Sequence, residues 1–305
     1  MDRKRDLKRI LIYLGITFGL TWGYCLAILY PLVNGESLNG VPSIKAQLLT
    51  AAVMFFPAIA VLLTRLITKE GFRDAWLRLN LRGHWPWYLL AWFGPGILTI
   101  AGSVLYFLIF PGKFDPNAGY MQSVMEAAGA SADDLPVPLG VLLGIQTVQA
   151  FFLAPAMNFV TCFGEEWGWR GYLLPKMKDH MPTVTMLVVS GVIWGLWHAP
   201  LTLVGHNYGM GYAGYPFTGI AMMCLFCIVM GVFLSFVTLQ TGSCIPAILG
   251  HGAINGIAAI GMYLTADGGN PFVGPVPTGI VGIIPFILTA ILMIVWLQRK
   301  KKGTV

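Results

Sequence analysis

Between Asp179 and Asp267 the chain carries no Asp, Glu, Lys or Arg, and the stretch from Leu135 to Gly164 is equally bare of charge. A water-facing surface cannot be built from such material. About a quarter of the residues of an average soluble domain are charged, against 10% of the 305 residues here. With 56% hydrophobic residues and a mean hydropathy of +0.72, the chain reads as a multi-pass protein of the cell membrane whose main solvent is lipid. Apolar runs of roughly the 20 residues that a bilayer-crossing helix needs recur at 10–30, 46–67, 87–110, 138–163, 183–200, 217–239, 245–264 and 279–297. They are continuous rather than alternating, which points to helices and away from a membrane β-barrel. The expected fold is therefore all-α: one membrane domain over 1–305, a bundle of about eight transmembrane helices. The first run is too long for the apolar region of a signal peptide and reads as the first span. Pro57, Pro95, Pro155 and Pro285 fall inside runs, where neighbouring helices can satisfy the freed carbonyls.

The few charges set the orientation. With alternating spans, one side receives the N-terminal arm, the 65–85 loop, the 165–182 segment and the C-terminal tail. These hold 17 of the 19 Lys and Arg, and the opposite side receives only Lys45 and Lys113. The positive-inside rule then places both termini in the cytoplasm. The net charge of +6 thus describes topology and contact with anionic headgroups, and no nucleic-acid partner is expected. The segment 68–85 mixes Phe72, Trp76, Leu77 and Leu79 with basic residues, a composition suited to a short amphipathic helix on the inner interface. The 111–137 stretch, with Asp115, Glu126, Asp133 and Asp134, reads as an outer loop. The five cysteines, including the Cys224/Cys227 pair, lie in or beside apolar runs and read as buried thiols.

Against this background the ionisable groups in apolar surroundings are candidates for function. In "FGEEWGWRGYLLPKM" (Phe163–Met177), Glu166 and Arg170 are four residues apart and face each other on a helix, while Glu165 lies about 100° round and lacks a local partner. Trp194 and His198 share a helix face, as do His251 and Asn255. His180 and His206 fall in a turn and a loop. Gly191/Gly195 and Gly252/Gly256 are small-residue pairs that let helix backbones approach closely. A turn near residue 180 puts Glu165 about 15 residues before it and His198 about 18 after it. At about 1.5 Å per residue an antiparallel hairpin brings the two level, and Pro175 is placed to kink its first arm. His251 lies about 6 residues into its helix, so the site is expected near the cytoplasmic face. Each group alone has a structural reading, as ion pair or inter-helix hydrogen bond; together they point to chemistry.

A Glu with a His can hold and deprotonate a water, and a second His with an Asn can donate to a developing oxyanion. That set suits peptide-bond hydrolysis without a covalent intermediate and needs no cofactor. Two His and one Glu (Glu165, His198 and His251) equally match the ligands of a catalytic zinc with an open position, and the residues leave both readings open. Neither HExxH nor GxSxG occurs.

"EEWGWR", "WGLWH" and "HGAIN" resemble, in order and spacing, the EExxxR, FxxxH and HxxxN motifs of the CAAX protease and bacteriocin-processing (CPBP, or Abi) family of intramembrane endopeptidases. Trp194 stands where the family pattern has Phe. The resemblance covers about 135–265 as a catalytic core. It implies that Glu165 and His198 activate the water, that His251 and Asn255 form the oxyanion hole, and that Glu166 and Arg170 support the first motif. The family has been described both as metalloproteases and as metal-free glutamate enzymes. The implied partners are a peptide or protein substrate, lipidated or not, and the bilayer. Two other functions fit the same residues: a non-catalytic membrane immunity or scaffold protein, and a proton-coupled transporter. The absence of visible repeat symmetry argues against the transporter.

Overall fold

A computed structural model describes residues 3–35 and 43–303. Among the described residues six helices are long and apolar enough to cross a membrane: α1 (Arg3–Gly35), α2 (Ile44–Thr68), α3 (Trp85–Ile109), α4 (Leu139–Met157), and two more toward the C-terminus. After α4 come α5 (Phe159–Gly168) and α6 (Leu174–Lys178), then the apolar but shorter α7 (Thr183–Trp197). The last two long helices are α8 (Phe217–Thr241) and α9 (Ile245–Tyr263). α10 (Ile284–Lys301) ends in three basic residues, which shorten its apolar part. Each of the eight expected spans thus holds a helix. No strand forms among the described residues, whose β pairing is limited to two isolated bridges.

Proline explains two local departures from α geometry. Its missing N–H and its ring disrupt the bond to the carbonyl four residues back. A π-helical turn at Cys25–Leu29 ends two residues before Pro31, and another at Trp169–Leu173 ends two residues before Pro175. In each, the following N–H reaches the carbonyl five residues back, Tyr30 to Cys25 and Leu174 to Trp169. The kink expected at Pro175 is therefore absorbed as a widened turn just after the acidic pair, a usual place for such bulges. The expected single span 138–163 is divided at Asn158, whose ψ of 3° is not helical.

Close helix contacts run through glycine, where an absent Cβ lets backbones touch. A Cβ on Gly191 or Gly195 of α7 would lie 2.5 Å from the Cα of Ile228 or Cys224 on α8. Gly252 and Gly256 of α9 lie against Pro155, Ala154 and Asn158 in the same way. A third pair, Gly164 and Gly168 of α5, presses on Met54 O and Pro57 of α2. The helix with the acidic pair is thus clamped on its glycine side and presents its carboxylates to α7 and α9.

The basic groups gather at one end. Arg9 Nε lies 3.3 Å from Glu70, His180 Nε2 3.0 Å from Asp6, and Lys300 Nζ bonds Gln240 at 2.8 Å. At the other end Lys113 pairs with Asp267 at 2.9 Å, tying the 111–137 stretch to the loop after α9. The helix expected over 68–85 does not form. Residues 69–84 are an irregular strap in which Gly71, Trp76 and Gly83 take positive φ, which ends any α-helical run. The strap is fixed instead by long-range bonds. Trp167 Nε1 donates to Ala75 O, Cys244 N to Trp76 O, and Asn80 Nδ2 to Thr241 O.

Candidate active site

Three helices bring the motif side chains together around one indole. Trp194 of α7 donates its N–H to Glu165 Oε2 at 2.9 Å. Its ring centroid is 5.7 Å from that of His198 and 5.5 Å from that of His251. The Arg170 guanidinium stands 4.2 Å from its centroid, within cation–π range. Glu165, Glu166, Arg170, Trp194, His198 and His251 are all buried, while Asn255 is exposed. Glu165, without a partner on its own helix, finds one across the bundle.

Glu166 is the hub of a second set. Its Oε1 accepts from Arg170 at 3.0 Å, the expected pair four residues apart, and from His251 Nδ1 at 2.8 Å. The other oxygen has no donor among the described residues. An ionised carboxylate only accepts, so Nδ1 of His251 carries a proton and Nε2 is its free end. His198 is held likewise, with Nδ1 2.8 Å from the carbonyl of Trp194, again an acceptor that fixes the proton on Nδ1. Both imidazoles therefore present Nε2 to the site. On His198 that nitrogen is a lone pair able to take a proton; on His251 it donates to an oxyanion only in the imidazolium form.

Three contacts were not foreseen from the motifs. Asn158, at the break between α4 and α5, donates to Gly252 O at 3.1 Å, one residue after His251. Asn255 Nδ2 lies 3.7 Å from Cys162 Sγ, and Cys227 Sγ lies 3.8 Å from His198 Nδ1. All five cysteines are free thiols. No group of three or more His, Cys, Asp and Glu side chains among the described residues converges to hold a metal ion. Glu165, His198 and His251 thus do not form an assembled zinc donor set: Glu165 is turned to the Trp194 indole. His180 sits against Asp6 at the basic end, away from the site, and His206 lies on an exposed loop within electrostatic reach of His198.

Residues 147–257 match the family described as type II CAAX prenyl endopeptidase, Rce1-like. A protein of Methanococcus maripaludis named CAAX prenyl protease 2 is 29% identical over 92 residues, which cover 30% of this chain and 34% of that protein. The chain thus aligns with about a third of that relative's length. The matched segment holds all seven side chains of the three motifs, and over it the chain is similar to the CAAX prenyl endopeptidases.

Proposed function

We propose that the chain is an intramembrane endopeptidase that hydrolyses a peptide bond near the basic, cytoplasmic face. The observation that carries this reading is the gathering of buried Glu165, His198 and His251 about the Trp194 indole, among otherwise apolar helices. Water bound between the free oxygen of Glu165 and Nε2 of His198 loses a proton as its oxygen attacks the scissile carbonyl. Charge then develops on the carbonyl oxygen, where protonated His251 and the Asn255 carboxamide donate. Glu166 and Arg170 act through His251 and Trp194, holding the imidazole in one tautomer and the indole in one plane. The proton taken from water passes to the leaving amine. The names of the family and of the archaeal relative favour substrates whose prenylated cysteine is followed by three C-terminal residues, which a membrane-embedded site can admit sideways from the bilayer.

The test is cleavage of quenched fluorescent peptides, prenylated and unprenylated, by the full chain purified in detergent, with and without a zinc chelator. Hydrolysis indifferent to the chelator is expected, because the three candidate ligands, though gathered about one indole, do not converge as a metal donor set. Activity lost to the chelator and restored by zinc would replace the metal-free mechanism. A bacteriocin-immunity phenotype that survives Glu165→Ala, with no peptide cleaved, would move the chain to the non-catalytic reading. Proton-coupled uptake abolished by His198→Ala would move it to transport.

A further inference from the structure

At the basic end, α1 and α2 enclose a cavity of about 240 Å³ lined by Arg5, Lys8, Arg9 and Lys69 above Ile12 and Ile67. No carboxylate lines it among the described residues. The neighbouring cavity differs: Asp6, Asp74 and Asp179 answer its cations. Of the four basic groups, Arg9 is shared with Glu70 and Asp6, whereas Lys8 and Lys69 are exposed and engage no acid among the described residues. Lys69 also caps the C-terminus of α2, with φ of 51° and its N–H on Arg65 O and Leu66 O. Below the cations the wall is apolar and open. Of its apolar residues Ile67 is more than half exposed and Ile12 partly so.

Lys8 and Lys69, with no acid partner among the described residues, stand over aliphatic side chains, and this has the two-part chemistry of a phospholipid, a phosphate joined to acyl chains. We propose that this cavity seats the phosphate of an anionic phospholipid of the adjoining leaflet, with its acyl chains along Ile12 and Ile67. A free phosphate shares the headgroup chemistry but has no use for the apolar wall. The site adjoins the first-motif helix. Arg9 meets Glu70, and Glu70 also accepts from Tyr172 at 2.9 Å and from Lys176, both just beyond Arg170. The proposal does not depend on the protease reading, since it concerns binding alone.

The test is native mass spectrometry of the full chain in neutral detergent, titrated with phosphatidylglycerol or with phosphatidylcholine of the same chains. Retention of phosphatidylglycerol over phosphatidylcholine is expected. Lys8→Ala with Lys69→Asn, where Asn tolerates the left-handed backbone, should weaken phosphatidylglycerol binding roughly 30-fold, about the effect of two surface cations. The charge-matched Lys301→Ala/Lys302→Ala variant should bind as the unaltered chain does. Equal losses in the two double variants would mean diffuse attraction and overturn the site, as would equal retention of both lipids. Displacement of the lipid by millimolar inorganic phosphate would make free phosphate the occupant and overturn the lipid assignment.

Discussion

The indole N–H of Trp194 has no counterpart in phenylalanine, the residue that the family pattern places there. Read from the motif, the exchange changes little, because both rings are flat and apolar. In the bundle the indole donates to Glu165 and lies between both histidines and Arg170. Trp194→Phe keeps the ring and removes the donor. A hydrogen bond to a charged group contributes about 1.5–3 kcal/mol, so kcat/KM should fall by roughly 10- to 100-fold. The loss should sit mainly in kcat, measured on the best peptide substrate; unchanged kinetics would make the bond incidental. Which residues gather at the indole was legible because charge stands out in an apolar sequence. How Glu166 pairs was only half legible. Arg170 lies four residues away on the same helix, but His251 is 85 residues distant, and only the rotation of α9 against α5 sets that contact.

At the scale of elements, glycine pairs decide how near the helices of the site can come. Gly191/Gly195 and Gly252/Gly256 were legible as small-residue pairs and make the contacts expected of them. Gly164/Gly168 was hidden inside the acidic motif and clamps α5 on α2. A methyl group on Gly164 would meet Met54 O at 2.5 Å, and one on Gly195 would meet the Cα of Cys224 at 2.5 Å. Gly164→Ala and Gly195→Ala should each destabilise the bundle by about 1–3 kcal/mol, the usual range for overpacking. Thermal unfolding in detergent checks this, with Gly15→Ala as the control. Nothing lies within 4 Å of a Cβ at Gly15, so its better helix propensity should leave stability equal or higher. Equal melting of all three variants would mean that the backbones separate without cost. The positions of the helices followed from apolar runs. The break at Asn158, the π turn before Pro175 and the irregular strap over 69–84 did not, because hydrophobic periodicity says nothing of carbonyls satisfied from distant loops.

For the whole molecule, the arrangement follows from where the charges cannot go. The basic segments collect at one end of the bundle and the Lys113–Asp267 pair closes the other, as the positive-inside count requires. Cysteines placed at Arg78 and Lys302 should react with a membrane-impermeant maleimide only from the cytoplasmic side, and one at Lys113 only from the opposite side; labelling of all three from one side would break the topology. Within that frame glycine contacts seat α5 on α2, α7 on α8 and α9 on the end of α4, and the helices so placed deliver two carboxylates, an arginine and two histidines to one indole. The central claim is that Glu165 acts on water there, and it is tested most directly by kcat/KM of Glu165→Gln beside the unaltered chain on one cleaved peptide, with the melting of both followed. Loss of a general base should lower kcat/KM by about 10²- to 10⁴-fold with melting preserved. Turnover near that of the unaltered chain would contradict the account.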